Sequence, residues 1–295
     1  MTEDTLELLH AGGLLSEEEA DTALRAQQTL GGTLLRVLER TAADTHDLWQ
    51  RLARLHGRPV YTRLNDIETV EEAIHRPGGG VEPMLPRPLA LDTLTLAQRR
   101  EGETLRLLSP NPFLDLSDSR LQERAHAISL TGGGDLACSV LPPDLYRRCL
   151  RLTYPEALAG PLSLADRLAV TGLIPEAEMR PYQGREAGLL GDGLISEDDY
   201  AAALADHLNL PLYRHAPVTL EEHLLPEEAI RRHDLYPLRL DREQGTLVVL
   251  TATAPDDLLG LHLRRLSGWP VAYEITTRTV IRSLIQKRGR SHAHH

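Results

Sequence analysis

The sequence predicts an α+β protein built from two tandem domains, each a helical N-terminal subdomain followed by a small β-hairpin–α–β–α sheet unit. Three observations carry this reading. A length of 295 residues corresponds to roughly two domains of ordinary size. A helix-start pattern recurs along the chain, and in each copy the hydrophobic period changes from helical to strand-like at a matching place.

The recurring pattern is Gly13-Leu14-Leu15-Ser16-Glu17-Glu18-Glu19, repeated as Gly193-Leu194-Ile195-Ser196-Glu197-Asp198-Asp199 and more loosely as Gly172-Leu173-Ile174-Pro175-Glu176. In each, a glycine supplies the left-handed turn that ends one helix, and two aliphatics anchor the turn. Ser16 or Ser196 then caps the next helix, with Glu19 or Asp199 three residues on. The helices that follow place Ala20, Ala23, Leu24 and Gln27, or Tyr200, Ala203, Leu204 and His207, on one stripe.

Both copies leave their helical part in the same way. Leu52 through Tyr61 aligns with Leu204 through Tyr213, sharing a Pro-aliphatic-Tyr ending at an offset of 152 residues. Strand-like segments follow at 89–96 and 103–108, and again at 236–240 and 246–250, each pair bracketing a charged, glycine-containing turn. An amphipathic helix is expected at 117–129 and 256–267, a strand at 136–141 and 271–275, and a closing helix at 143–152 and 277–288. Gly78-Gly79-Gly80 reads as a loop. The domains are therefore expected at 1–152 and 160–290, with a disordered His-rich tail at 291–295.

Composition narrows the function. With 43 acidic and 32 basic residues the net charge is −11, which disfavours nucleic acid as a partner. Aromatics make up 4%, too few for a base-stacking surface. The start Met1-Thr2-Glu3-Asp4 lacks the features of a signal peptide, and no apolar run is long enough to insert in a membrane. Cys138 and Cys149 read as small apolar core residues in a reducing compartment, so the expected location is cytoplasmic. No catalytic signature, metal-ligand spacing or cofactor motif stands out. The carboxylates fall in solvated helix starts, and Gly188-Leu189-Leu190-Gly191-Asp192-Gly193 reads as a loop between helices. Trp269-Pro270, just after a glycine turn, is the candidate protein contact of the second copy.

The stretches from Gly13 to Gln27 and from Gly191 to Tyr213, with the Leu-Leu-Pro-Glu-Glu, Arg-His and Pro-Leu series at 220–257, resemble the domain preceding type II secretion and type IV pilus assembly ATPases. That resemblance implies a regulatory or docking role toward a motor ATPase or inner-membrane platform component of such machinery. The motor itself is not in this sequence: its single lysine, Lys287, is not part of a GxxxxGK[ST] loop. The expectation is a non-catalytic adaptor, with an unrecognised enzyme as one alternative. The other is a receptor for cyclic di-GMP, which some members of that family bind through Arg-Leu-Gly repeats. The resemblance places a degenerate repeat on Gly13, Leu14, Leu15, Gln27, Leu30, Gly31 and Leu34. The four arginine positions are held instead by Asp4, Thr29, Ser163 and Gly184.

Overall fold

The computed structural model describes residues 9–63, 67, 74–75, 81–82, 84–129, 134–154, 162–183, 185–213 and 224–292. The chain divides into two compact units, Met1–Leu194 and Ile195–His295. These units differ from the domains expected at 1–152 and 160–290: the helices between 164 and 191 belong by contact to the first unit. The Gly78-Gly79-Gly80 loop lies outside the described residues.

In the first unit, α1 (Glu17–Leu30) begins at the expected capping box. The Ser16 hydroxyl accepts the Glu19 N–H, and the Glu19 carboxylate accepts the Ser16 N–H at 2.8 Å. These bonds hold the Glu19 carboxyl below its ordinary pKa, with the Ser16 backbone N–H the main cause. Then come α2 (Leu34–Thr41), capped by Thr33, and α3 (Thr45–Leu55), capped by Asp44. A short antiparallel pair, β1 (Ile74–His75) and β2 (Val81–Glu82), precedes α4 (Arg87–Thr93). The sheet consists of β3 (Leu96–Glu101), β4 (Thr104–Ser109) and β5 (Asp135–Val140), the first pair antiparallel and the second parallel. Its crossover is α5 (Ser119–Ile128), and α6 (Pro143–Thr153) follows β5. The remainder is helical: α7 (Leu164–Gly172), α8 (Glu176–Met179), a 3-10 turn at Arg180–Tyr182, and α9 (Gly188–Gly191).

The second unit repeats the plan. After α10 (Glu197–Leu208) and α11 (Glu227–His233) come β6 (Leu235–Asp241) and β7 (Thr246–Thr251), then α12 (Asp257–Ser267), β8 (Val271–Ile275) and α13 (Arg278–His292). The β6–β7 pair is antiparallel and β7–β8 parallel, and a register shift at Pro237/Arg239 matches one at Ala97/Arg99. Strand alternation sorts this sheet's residues to two faces. Leu235, Leu247 and Val249 pack with Leu263 of α12, and Tyr236, Leu238, Val248 and Leu250 pack with Ile281 of α13.

Three sequence expectations are corrected. Residues 89–96 are not a strand: α4 occupies most of that stretch, and the strand starts at Leu96. Pro88 at the second helical position fixes a helical φ, and the Thr93 hydroxyl donates to the Leu89 carbonyl one turn back. At the third copy of the turn pattern the left-handed residue is Leu173 (φ 52°), while Gly172 stays helical. The two glycines Gly13 (φ 68°) and Gly193 (φ 67°) do take the left-handed conformation. Finally, the tail expected from 291 begins inside α13, which runs to His292.

The core of the first unit gathers Trp49, Leu52, Leu85, Leu91, Leu107 and Leu121, all buried. Trp49 satisfies its indole N–H on the Pro110 carbonyl at 3.0 Å, and the Tyr154 hydroxyl donates to the Leu85 carbonyl at 2.7 Å. Cys138 and Cys149 are buried and unbridged, and burial pushes both thiols up to about 11. Among the described residues no helix is long and apolar enough to cross a membrane.

Gly134, leading into β5, lies against the backbone of α5. A Cβ there would stand 2.6 Å from the Ala125 carbonyl carbon and 2.8 Å from the His126 nitrogen. Neither neighbour can rotate away, so Gly134→Ala is expected to cost about 2 kcal/mol, read from the urea midpoint.

Candidate functional site

The seven residues singled out by sequence lie around both ends of α1, and they divide by role. Leu15 and Leu34 are buried in the core. Gly13 and Leu30 face outward, Leu30 with 46% of its surface exposed. The Leu14 carbonyl accepts Arg51 Nη1 at 2.6 Å. Gln27 and Gly31 close the C-terminus of α1: the Gly31 N–H donates to the Gln27 carbonyl at 2.9 Å, and Gln27 Nε2 reaches the Gly32 carbonyl at 3.3 Å. Gly31 and Gly32 both have positive φ, 70° and 106°, so this exit depends on having no Cβ.

The loop after α1 is engaged by the chain itself. The Gly32 N–H donates to the Gly193 carbonyl at 2.9 Å, and the Thr33 hydroxyl donates to the Gly172 carbonyl at 2.9 Å. Gly172 and Gly193 are the glycines of the later turn patterns, so the loop is bonded to its own sequence relatives. The same Thr33 oxygen accepts the Arg36 N–H at the start of α2. The Gly31 and Gly32 N–H groups and the Thr33 hydroxyl are thus partnered within the chain. Thr33→Ala removes a cap and an interhelix bond together and is expected to lower stability by about 1–2 kcal/mol in a thermal melt.

A second cluster fixes the helices at 164–191 to α4. Asp92 on α4 has 5% of its side chain exposed; Arg120 of α5 reaches it at 2.9 Å, and Arg180 pairs with the same oxygen. Its other carboxylate oxygen is buried without a hydrogen-bond partner. Asp166 on α7 pairs with Arg87 of α4. Burial, and then the charge of Asp92, raise the Glu176 carboxyl above its ordinary pKa. Sequence reasoning missed this cluster because Asp92, Arg120 and Arg180 are widely separated along the chain and share no local motif. Among the described residues no group of three or more His, Cys, Asp and Glu is placed to hold a metal ion.

Two outcomes follow from this cluster. Replacing Arg120 and Arg180 together by Ala leaves the buried Asp92 charge unpaired, an expected loss of about 3 kcal/mol in chemical denaturation. Glu176→Gln acts in the opposite direction. A carboxyl whose folded pKa is raised favours the native state when protonated, and that stability fades as pH climbs through the window above about 4.5. The variant is therefore expected to melt higher than the parent at pH 7, the difference vanishing below about pH 4.

No family model matches the chain, and neither does any curated protein. Among solved structures it is similar to the N-terminal domain of XpsE in one crystal form, at 27% identity and a TM-score of 0.29, over 39% of this chain and 83% of that one. A second crystal form of that domain matches at 23% identity and a TM-score of 0.31, over 43% and 96%. MshE, in a structure with cdg, matches at 22% identity and a TM-score of 0.36, over 43% of this chain and 99% of that one.

Proposed function

We propose that the protein is a non-catalytic adaptor or regulator, related to the N-terminal domain of secretion and pilus assembly ATPases, that acts by binding a protein of such machinery. The observation supporting it most directly is the distribution of exposed apolar side chains. Among the described residues seven large apolar side chains are exposed, and four of them fall within residues 258–269. Leu258 is 77% exposed and Leu261 56%, and three residues apart on α12 they share a helix face. Leu266 follows in the last turn of the same helix, and Trp269 lies just past its Gly268 cap. Scattered surface leucines are ordinary, but a concentration of this kind on one helix suits a protein contact. Leu263, by contrast, is fully buried, so α12 is anchored on one side and apolar on another.

The partner on this reading is a motor ATPase or a platform protein of a secretion or pilus system. Pull-down with the full chain should enrich one of these, and Leu258→Asp with Leu261→Asp should abolish the capture while leaving the melting temperature within a few degrees. Capture of neither class, or capture undiminished in the double variant, sinks the proposal.

A further inference from the structure

The first unit contains a cavity of about 750 Å³ whose walls come from α2, the start of α3, the segment after α3 and the start of α6. Its charge runs against that of the chain. Four arginines, Arg36, Arg40, Arg63 and Arg148, line it with two carboxylates, Glu39 and Asp144, whereas the whole sequence carries −11. Glu39 is also shared, pairing with Arg36 and, at 2.6 Å, with Arg147. Among the described residues no carboxylate forms an ion pair with Arg63 or Arg148, and both side chains are exposed at the cavity.

Two helix N-termini border the same space, and that of α3 is already taken by its Asp44 cap, which accepts the His46 and Asp47 N–H groups. Thr45 and His46 form the first turn of α3, and Pro142, Asp144 and Leu145 form the start of α6. The cap of α6 is Pro142, which has no side-chain acceptor, and Pro143 has no N–H, so the Asp144 and Leu145 N–H groups are the first this helix offers and they have no side-chain cap. The positive end of a helix dipole adds to the arginine field there. Thr45 and Thr62 also line it, the Thr45 hydroxyl donating to the Glu39 carbonyl at 3.3 Å.

From this arrangement we infer that the cavity is a binding site for a phosphate-bearing small molecule. A planar carboxylate is met by a single guanidinium fork. Donors arriving from more than one wall, the Arg63 and Arg148 guanidiniums and the uncapped start of α6, suit the tetrahedral, multiply accepting phosphate. The volume lies in the range of small-molecule sites and exceeds what a bare phosphate needs, so the anion belongs to a larger molecule. A concave positive surface on an acidic protein also concentrates anions locally. None of these residues belongs to the degenerate repeat around α1, and the site is independent of the apolar face of α12.

The test is thermal-shift titration of the full chain with pyrophosphate at constant ionic strength, with citrate as the polycarboxylate comparator. A saturable rise in melting temperature is expected with pyrophosphate. Arg63→Gln and Arg148→Gln should each weaken it about tenfold, since each removes one charge-assisted contact. Both side chains are exposed, so the unliganded melting temperature of each variant should match the parent. No saturable rise, an undiminished response in both variants, or an equal response to citrate would overturn the assignment.

Discussion

Each copy is held together at the last residue of its crossover strand. In the first, the Val140 N–H donates to the Pro59 carbonyl at 2.8 Å, and the Val140 carbonyl accepts the Tyr61 N–H at 3.1 Å. In the second, Ile275 does the same with Pro211 and Tyr213, both at 2.8 Å. The next N–H, of Leu141 or Thr276, returns to the neighbouring strand at Ser109 or Thr251. Val140 and Ile275 are completely buried, so their peptide groups must be paired within the protein. Without the exit segment the free side of β5 or β8 would be an open edge. Proline suits the first position because it is asked only to accept, and tyrosine supplies the donor two residues on. The shared Pro-aliphatic-Tyr ending is therefore the joint between the helical and sheet parts of each copy.

That joint also identifies which helices correspond. In the first copy the exit follows α3, and in the second it follows α10, so α3 and α10 are equivalent by position. Yet α10 carries the Gly-Leu-Ile-Ser start that in the first copy belongs to α1. One helix of the second copy thus combines features kept on two helices of the first. The serine cap is a local device that any helix start can use, which is why it recurs without marking equivalent positions. The exit is different, because it must meet a strand end more than sixty residues downstream, and only one place in each copy satisfies that.

What could be read from sequence divides along the same line. The second hairpin, the second strand of the first, the crossover helices α5 and α12 and the closing helices α6 and α13 were legible because period and punctuation agreed within a few residues. The capping box at Ser16 was legible because its two bonds lie three residues apart. The helix α4 was not: Pro88-Leu89-Ala90-Leu91 is uniformly apolar in sequence, so its composition has no period to distinguish helix from strand. The assignment of 164–194 to the first unit was not legible either. It depends on Asp92 meeting Arg180 and on Thr33 meeting Gly172, pairings separated by 88 and 139 residues. Of the candidate residues, the sequence could place Gly13, Gln27, Gly31 and Leu34 on a turn–helix–turn, but not show that the second turn is engaged by the chain.

The same distinction bears on the repeat around α1. Most of its residues have a folding role here: Gly13 and Gly31 for positive φ, Leu15 and Leu34 for the core, Gln27 for closing the helix end. A protein that only needed this helix and its two turns would keep those residue types with no ligand at all. The repeat that the sequence resemblance implies would carry an arginine before each turn. The described residues put Thr29 and Ser163 at two of those places, the first exposed on α1 and the second capping α7 through Asp166. Ser163 is thus committed to a helix start, accepting the Asp166 N–H at 3.1 Å. Apart from the outward-facing Leu30, the residues surviving in the repeat serve the turns, the helix end and the core, whereas Arg36, Arg40, Arg63 and Arg148 line the cavity between α2, α3 and α6.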